Sequence, residues 1–484
     1  MKCGNNRSNP FSTSQGVKQG DPLSPFLFGI FVEILHEMLE HFCPSAGIKI
    51  GTDTIFDMLY ADDCTLIAET PEKLQLQLDV VKLFGHVCGM KLNVRKTEIM
   101  VFRRKGMKVP VGVWRYDGTD VKVVESAVYL GSTLHAVGTH HPWQGKLRVN
   151  GLKASFALQG LVKKQDLYAP ELQLRLFDTL VQPVMSYGCQ IWGAAYAMHG
   201  SPLSALDNSL QRIHLNFLRV VSGASNHVPN VVLLHEFKAA PLVCHWLRLV
   251  LRFWNRMVGN KHWLLHSVFQ VNVSKAVHGL KNCWAAQVLG ILLKLGEISS
   301  LNLDSIPDIC SKVIDVDRVV SVLHTQIMQS LFIGHTDPRT CPSIGAKHCA
   351  YMQWFAHADQ TAYHPHIKSV TIPSGKHREL MRFRLGCSDI AVNSGRFVAR
   401  QNRLARADRV CPCCSSGQAE DELHVIFECT AYDIIRSQAR FVGLFSNGNL
   451  IDMKTLFCHP QHQSLLADLV RACSVKRKQL IAQF

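Results

Sequence analysis

Residues 56–67 constrain this chain more than any other stretch. Phe56 and Tyr60 on one side, and Thr65 and Ile67 on the other, flank Ala61-Asp62-Asp63. Strand formers around turn residues predict a β-hairpin with two carboxylates at its tip. Adjacent carboxylates repel unless a cation lies between them, and a divalent metal is the usual solution. A merely solvated turn accounts for the same residues, because Asp is a common turn former. The neighbouring segments decide between the two.

Upstream, Gln15-Gly16-Val17-Lys18-Gln19-Gly20-Asp21-Pro22-Leu23-Ser24-Pro25 reads as an open polar loop. Ser24 suits an N-cap and Pro25 the first helical position. The helix they begin is expected over 25–42. Its apolar residues, among them Leu27, Ile30, Phe31, Ile34, Leu35 and Leu39, cover a wide face and predict deep burial. Downstream, Thr70 caps a second helix, which Gly89 ends. Lys91-Leu92-Asn93-Val94-Arg95-Lys96-Thr97 leads into a strand over 98–102. Shorter strands are expected over 111–116 and 121–124, before Tyr129-Leu130-Gly131.

Taken in order, four motifs resemble the reverse transcriptase of non-LTR (LINE-type) retrotransposons. They are the loop from Gly16 to Pro25, Tyr60-Ala61-Asp62-Asp63, Gly89-Met90-Lys91-Leu92-Asn93 with Lys96-Thr97, and Tyr129-Leu130-Gly131. The resemblance implies an α+β fold. Residues 1–145 would form a partial polymerase palm, an antiparallel sheet backed by helices. It implies that Asp62 binds catalytic Mg²⁺ with Asp63 in support, since two-metal phosphoryl transfer needs hard oxygen ligands. Gln19, Gly20 and Asp21 match a loop near the incoming nucleotide and template. Lys96 matches a lysine near the nucleotide phosphates, and Tyr129, Leu130 and Gly131 a hairpin at the primer grip. The implied partners are an RNA template and a DNA primer or target. The family palm also opens with a strand bearing another catalytic Asp, yet no Asp precedes Gly20 here. This chain alone is therefore expected to be inactive, and a non-catalytic nucleic-acid-binding remnant is the alternative.

Residues 146–258 read as helical and resemble the thumb that follows the palm. Leu172, Leu176, Leu180 and Val184 recur at helical spacing, with a break expected at Pro183. Arg212, His214 and Arg219 are candidate phosphate contacts, or ordinary helix-surface charges. In His245–Arg256, buried Trp246 and Trp254 with solvent-reaching arginines are the expected outcome. Residues 259–374 read as a helical connection without legible chemistry.

The far end is sharper. Cys411, Cys414, His424 and Cys429 give Cys-x₂-Cys followed by His-x₄-Cys. Four such ligands can close a tetrahedral Zn²⁺ site with no open position, which makes the metal structural. Within residues 375–445 this resembles the carboxy-terminal zinc knuckle of retroelement proteins. Arg400, Arg403, Arg406 and Arg409 precede it and suit phosphate contacts. Residues 446–484 read as a helical tail.

Charge agrees with a polyanionic partner: 52 Lys and Arg oppose 37 Asp and Glu, a net +15. Seventeen scattered cysteines without a secretory segment predict reduced thiols and an intracellular site, nuclear or cytoplasmic. The longest stretch free of Asp, Glu, Lys and Arg, 179–206, contains prolines and glutamines. It predicts buried helix and loop rather than a membrane span.

Overall fold

The computed structural model describes residues 2–3, 6–7, 16–18, 20–107, 112–198, 206–259, 262–298, 306–332, 351, 365–368, 372–395, 398–445 and 453–483. The chain divides into two compact units. One holds Met1–Trp143 with Asn260–Ser274, the other Gln144–Gly259 with Lys275–Phe484.

The first unit is α+β. Its helices include α1, Ser24–Phe42, α2, Pro71–Cys88, and most of a third, Trp263–Val277. Its strands are β1 Lys2–Cys3, β2 Asn6–Arg7, β3 Ile48–Ile50, β4 Asp53–Ile55, β5 Asp57–Tyr60, β6 Asp63–Leu66, β7 Glu98–Ile99, β8 Arg115–Tyr116, β9 Thr119–Asp120, β10 Lys122–Val123, β11 Ser126–Tyr129 and β12 Ser132–His135. They pair two by two as antiparallel hairpins, except that β7 pairs with β10 in parallel. Among the described residues the expected sheet is thus a set of separate ladders, and the strand expected over 98–102 shortens to Glu98–Ile99.

Two small cores hold this unit. Leu35 and Leu39 of α1 pack with Phe56, and with Val80 and Phe84 of α2. Leu78, Ile99, Trp114 and Val121 form the other, and the Trp114 indole N–H donates to the Pro71 carbonyl at 3.1 Å. Helix α2 starts and stops as expected. Thr70 Oγ1 accepts the Lys73 N–H at 3.3 Å, and Gly89 ends the helix at φ +67°. Helix α1 departs from expectation twice. Ser24 does not cap it: its hydroxyl donates to the Lys18 carbonyl at 2.6 Å, while Asp21 Oδ1 accepts the Leu23 N–H at 2.9 Å. Its wide apolar face is only partly covered; Phe26 stays 65% and Ile30 57% exposed.

The second unit is helical. Its main helices include Pro170–Leu180, Ser209–Ser222, Leu242–Gly259, Trp284–Lys294, Val316–Phe332, Ser374–Arg384 and Gln463–Ile481. Trp192, Trp246, Trp254, Phe177 and Phe217 are fully buried. Buried indoles need acceptors; Trp246 donates to Ser186 Oγ and Trp254 to the Lys312 carbonyl, each at 3.1 Å. Arg252 and Arg256 stay at the surface. The chain breaks near Pro183 as expected, one helix ending at Leu180 and another starting at Gln182. The leucine stripe, however, faces outward. Leu172 and Leu180 are exposed, and Gln173, Leu174 and Phe177 form the buried face. No described helix is long and apolar enough to cross a membrane.

Candidate functional site

Strands β5 and β6 pair in the register Tyr60↔Asp63, so Ala61-Asp62 alone closes the hairpin. Two-residue turns follow strand twist only with positive φ at a turn position. Ala61 supplies it at φ +52°. Alternation puts Tyr60 and Asp63 on one face with Met58 and Thr65, and Asp57, Leu59, Cys64 and Leu66 on the other. Tyr60, Asp62 and Asp63 are exposed. No ion pair or side-chain hydrogen bond among the described residues engages either carboxylate at the tip. Their chemistry fits Mg²⁺, which takes one or two protein carboxylates, substrate phosphates and water. Among the described residues no third His, Cys, Asp or Glu joins them in a cluster.

The buried face carries a residue that the sequence pattern did not single out. The Asp57 side chain is 2% exposed, and its Oδ1 lies 2.6 Å from His36 Nδ1 on α1. Glu40 approaches His36 Nε2 at 3.6 Å. Burial works to lower the His36 pKa, but the hydrogen bond and charge of Asp57 outweigh it, so the net shift is upward. The one available signal was a carboxylate at an inward position of an apolar strand.

The other expected residues are placed as follows. Gly20 sits at φ +85°, a conformation that favours glycine, and Asp21 is engaged by the Leu23 amide. Gln19 lies outside the described residues. Lys96 is exposed, on a turn whose amide donates to the Asn93 carbonyl at 3.0 Å. Tyr129 pairs with Ser132, so Leu130 and Gly131, both at positive φ, form the tight turn of β11–β12.

Several cationic candidates are engaged inside the protein. Arg219 donates to the Val228 carbonyl at 3.2 Å and to Asn230 Oδ1 at 2.6 Å. His214 is buried and stacked on Phe177 at 5.1 Å, and burial pushes its pKa down to about 4. Burial takes His214 out of the candidate phosphate contacts, and Arg219 is half-buried with its guanidinium tied to neighbouring residues. Arg409 likewise donates to the Val392 carbonyl at 2.6 Å and the Leu404 carbonyl at 3.0 Å. Arg406 faces Glu422 at 3.7 Å, and Arg403, although exposed, reaches the Val398 carbonyl at 3.3 Å. Arg212 is exposed; the Arg400 side chain lies outside the described residues.

The four zinc candidates come together. Val410 bridges Ala419, closing a loop that carries Cys411 and Cys414. A π-helical turn, His424–Glu428, presents His424 and delivers Cys429. All four ligand atoms lie within 4.8 Å of one another. Cys411 Sγ is 3.7 Å from Cys429 Sγ, and Cys414 Sγ is 3.4 Å from His424 Nε2. A tetrahedral zinc with Zn–S of about 2.3 Å spaces its sulfurs about 3.8 Å apart, so the set fits. Burial raises the pKa of Cys411, and it pushes Cys429 up to about 11. Burial also acts to raise Cys414, but hydrogen bonds from the side chain and backbone of Ser416 help bring it down to about 6. A bound cation would hold the thiols as thiolates. The module is anchored through buried Glu420, which Arg477 grips at 2.7 and 2.8 Å.

The family model for reverse transcriptase (RNA-dependent DNA polymerase) matches residues 1–134. The polyprotein of the type-2 retrotransposable element R2DM of Drosophila melanogaster is 39% identical over 89 residues, 18% of this chain and 8% of that protein. A type-1 R2 element polyprotein of Nasonia vitripennis is 30% identical over 146 residues, 28% of this chain and 14% of that protein. The probable RNA-directed DNA polymerase from transposon BS of Drosophila melanogaster is 24% identical over 233 residues, 47% of this chain and 25% of that protein. The chain thus spans at most a quarter of the length of these relatives. With the ordered motifs, these comparisons show that residues 1–134 are similar to the reverse transcriptase domain of non-LTR, LINE-type retrotransposon proteins.

Proposed function

We propose that this chain supplies the Asp62-Asp63 part of a Mg²⁺-dependent site that extends a DNA primer on an RNA template. One observation carries the reading: two exposed, unengaged carboxylates lie on a tight hairpin within the matched domain. In this reading residues 1–145 are the partial palm, residues 146–258 act as thumb, and the Cys/His module is a structural zinc knuckle on the nucleic acid. Bound Mg²⁺ supplies activation of the primer 3′-hydroxyl and neutralises charge on the leaving pyrophosphate. The short turn fixes the two carboxylates relative to each other. The Asp57–His36 bond anchors the base of the hairpin to α1. Lys96 offers an exposed charge to the nucleotide phosphates.

Nucleic-acid binding without synthesis is the second reading. It is favoured because the carboxylate pair stands without a third ligand among the described residues, whereas the zinc quartet is complete. Primer extension on an RNA template with Mg²⁺ separates the two. Extension that Asp62→Ala reduces to background supports the first. Absence of extension, with binding that weakens steeply with salt and survives Asp62→Ala, supports the second. The same assay tests the expectation of inactivity drawn from the amino-terminal residues.

A further inference from the structure

We propose that Gln418 is the positioning residue of the Cys411, Cys414, His424 and Cys429 centre, holding His424 so that Nε2 faces the metal. The inference rests on the zinc reading above. Gln418 Oε1 lies 3.0 Å from His424 Nδ1. A carboxamide oxygen only accepts, so Nδ1 carries the proton and the free lone pair is on Nε2. That nitrogen is the one 3.4 Å from Cys414 Sγ. The competing acceptor for Nδ1, the Glu428 carboxylate, stands off at 3.6 Å, beyond a hydrogen bond.

Gln418 also holds the other half of the site. Its carbonyl accepts the Cys411 N–H at 2.8 Å. Its own N–H donates to Ser416 Oγ at 3.3 Å, and that hydroxyl lies 3.1 Å from Cys414 Sγ. Gly417 makes the turn between them at φ +69°. The segment Ser416–Gln418 therefore touches three of the four ligands, which lie on both sides of it in the chain. The same surroundings discriminate against a second ligand set, Cys411, Cys413 and Glu420. The Glu420 oxygens are engaged by Arg477 and by the Ala391 N–H. The Cys413 thiol is met by the Tyr432 hydroxyl at 3.6 Å.

The test uses the full chain, with Zn²⁺ affinity read by competition against a chromophoric chelator and ligand geometry read from the Co²⁺ absorption spectrum. Gln418→Leu, which keeps the size and loses the acceptor, is expected to bind zinc about 10–100-fold more weakly, the usual cost of losing such an outer partner. Its Co²⁺ bands should shift from those of a tetrahedral three-sulfur, one-nitrogen site. Gln418→Glu keeps an acceptor and is expected to stay near wild-type affinity. Wild-type affinity and spectrum in Gln418→Leu would overturn the assignment, as would equal losses in both variants. Failure of the wild-type chain to take up one equivalent of zinc would instead overturn the zinc reading itself.

Discussion

Asp57 and Asp62 share one hairpin and meet opposite environments. Asp62 sits at the exposed tip, and turn chemistry made it legible with Asp63 from neighbouring residues alone. Asp57 is buried against His36, a partner on another element, and nothing local announces that pair. The pair has a pH signature. The His36 pKa is raised in the folded protein, so its contribution to stability is fully present below the unfolded value of about 6.5. It fades as pH rises through the higher folded value. His36 is one-third exposed, so about 1–2 kcal/mol is a ceiling for the contribution of this charged hydrogen bond. Melting temperatures of wild type and His36→Gln should differ most near pH 6 and converge toward pH 8; a gap that does not change with pH would contradict this. His214 and Arg219 show the reverse case. Their residue types suggested phosphate contacts, and packing gave one to a ring stack and the other to a loop.

At the level of elements, ends were easier to read than faces. The capped start of α2 at Thr70 and its stop at Gly89 follow from backbone donors and a left-handed residue, both local demands. Thr70→Ala is expected to cost about 1 kcal/mol, and Thr70→Asp to recover most of it, measured by urea denaturation. At α1 the expected cap failed because the helix already begins at Ser24, which puts Leu23, without a side-chain acceptor, at the cap position. Faces misled for a different reason. Periodicity identifies a helix, but burial depends on which neighbour arrives. Helix α1 leaves Phe26 and Ile30 of its wide apolar face exposed, and the leucines at 172 and 180 point away from the core. Strand lengths were also overread, since β7 ends where its parallel partner β10 ends.

Across the second unit, a buried ion pair ties distant segments together. Arg384 Nε and Nη2 meet Glu236 at 2.5 and 3.1 Å, Nη1 donates to the Phe457 carbonyl at 3.3 Å, and both charged side chains are 0% exposed. The Tyr351 hydroxyl donates to Glu236 at 3.1 Å, and His366 lies 3.0 Å from it. Removing one partner strands the other charge away from water. Arg384→Met is therefore expected to cost about 3–5 kcal/mol by urea denaturation. Adding Glu236→Gln should cost less than the sum of the single changes, the mark of direct coupling. Additive losses would mean that the pair is not a unit. The residues alone determined the hairpin, the grouping of Cys411, Cys414, His424 and Cys429, the ends of α2 and the resemblance to reverse transcriptases, because turn chemistry, ligand spacing and capping act over a few neighbouring positions. Only the tertiary structure decided which charges are engaged inside the protein and which face solvent. Desolvation and pairing join residues far apart in the chain, as they do for His36 with Asp57 and Glu236 with Arg384.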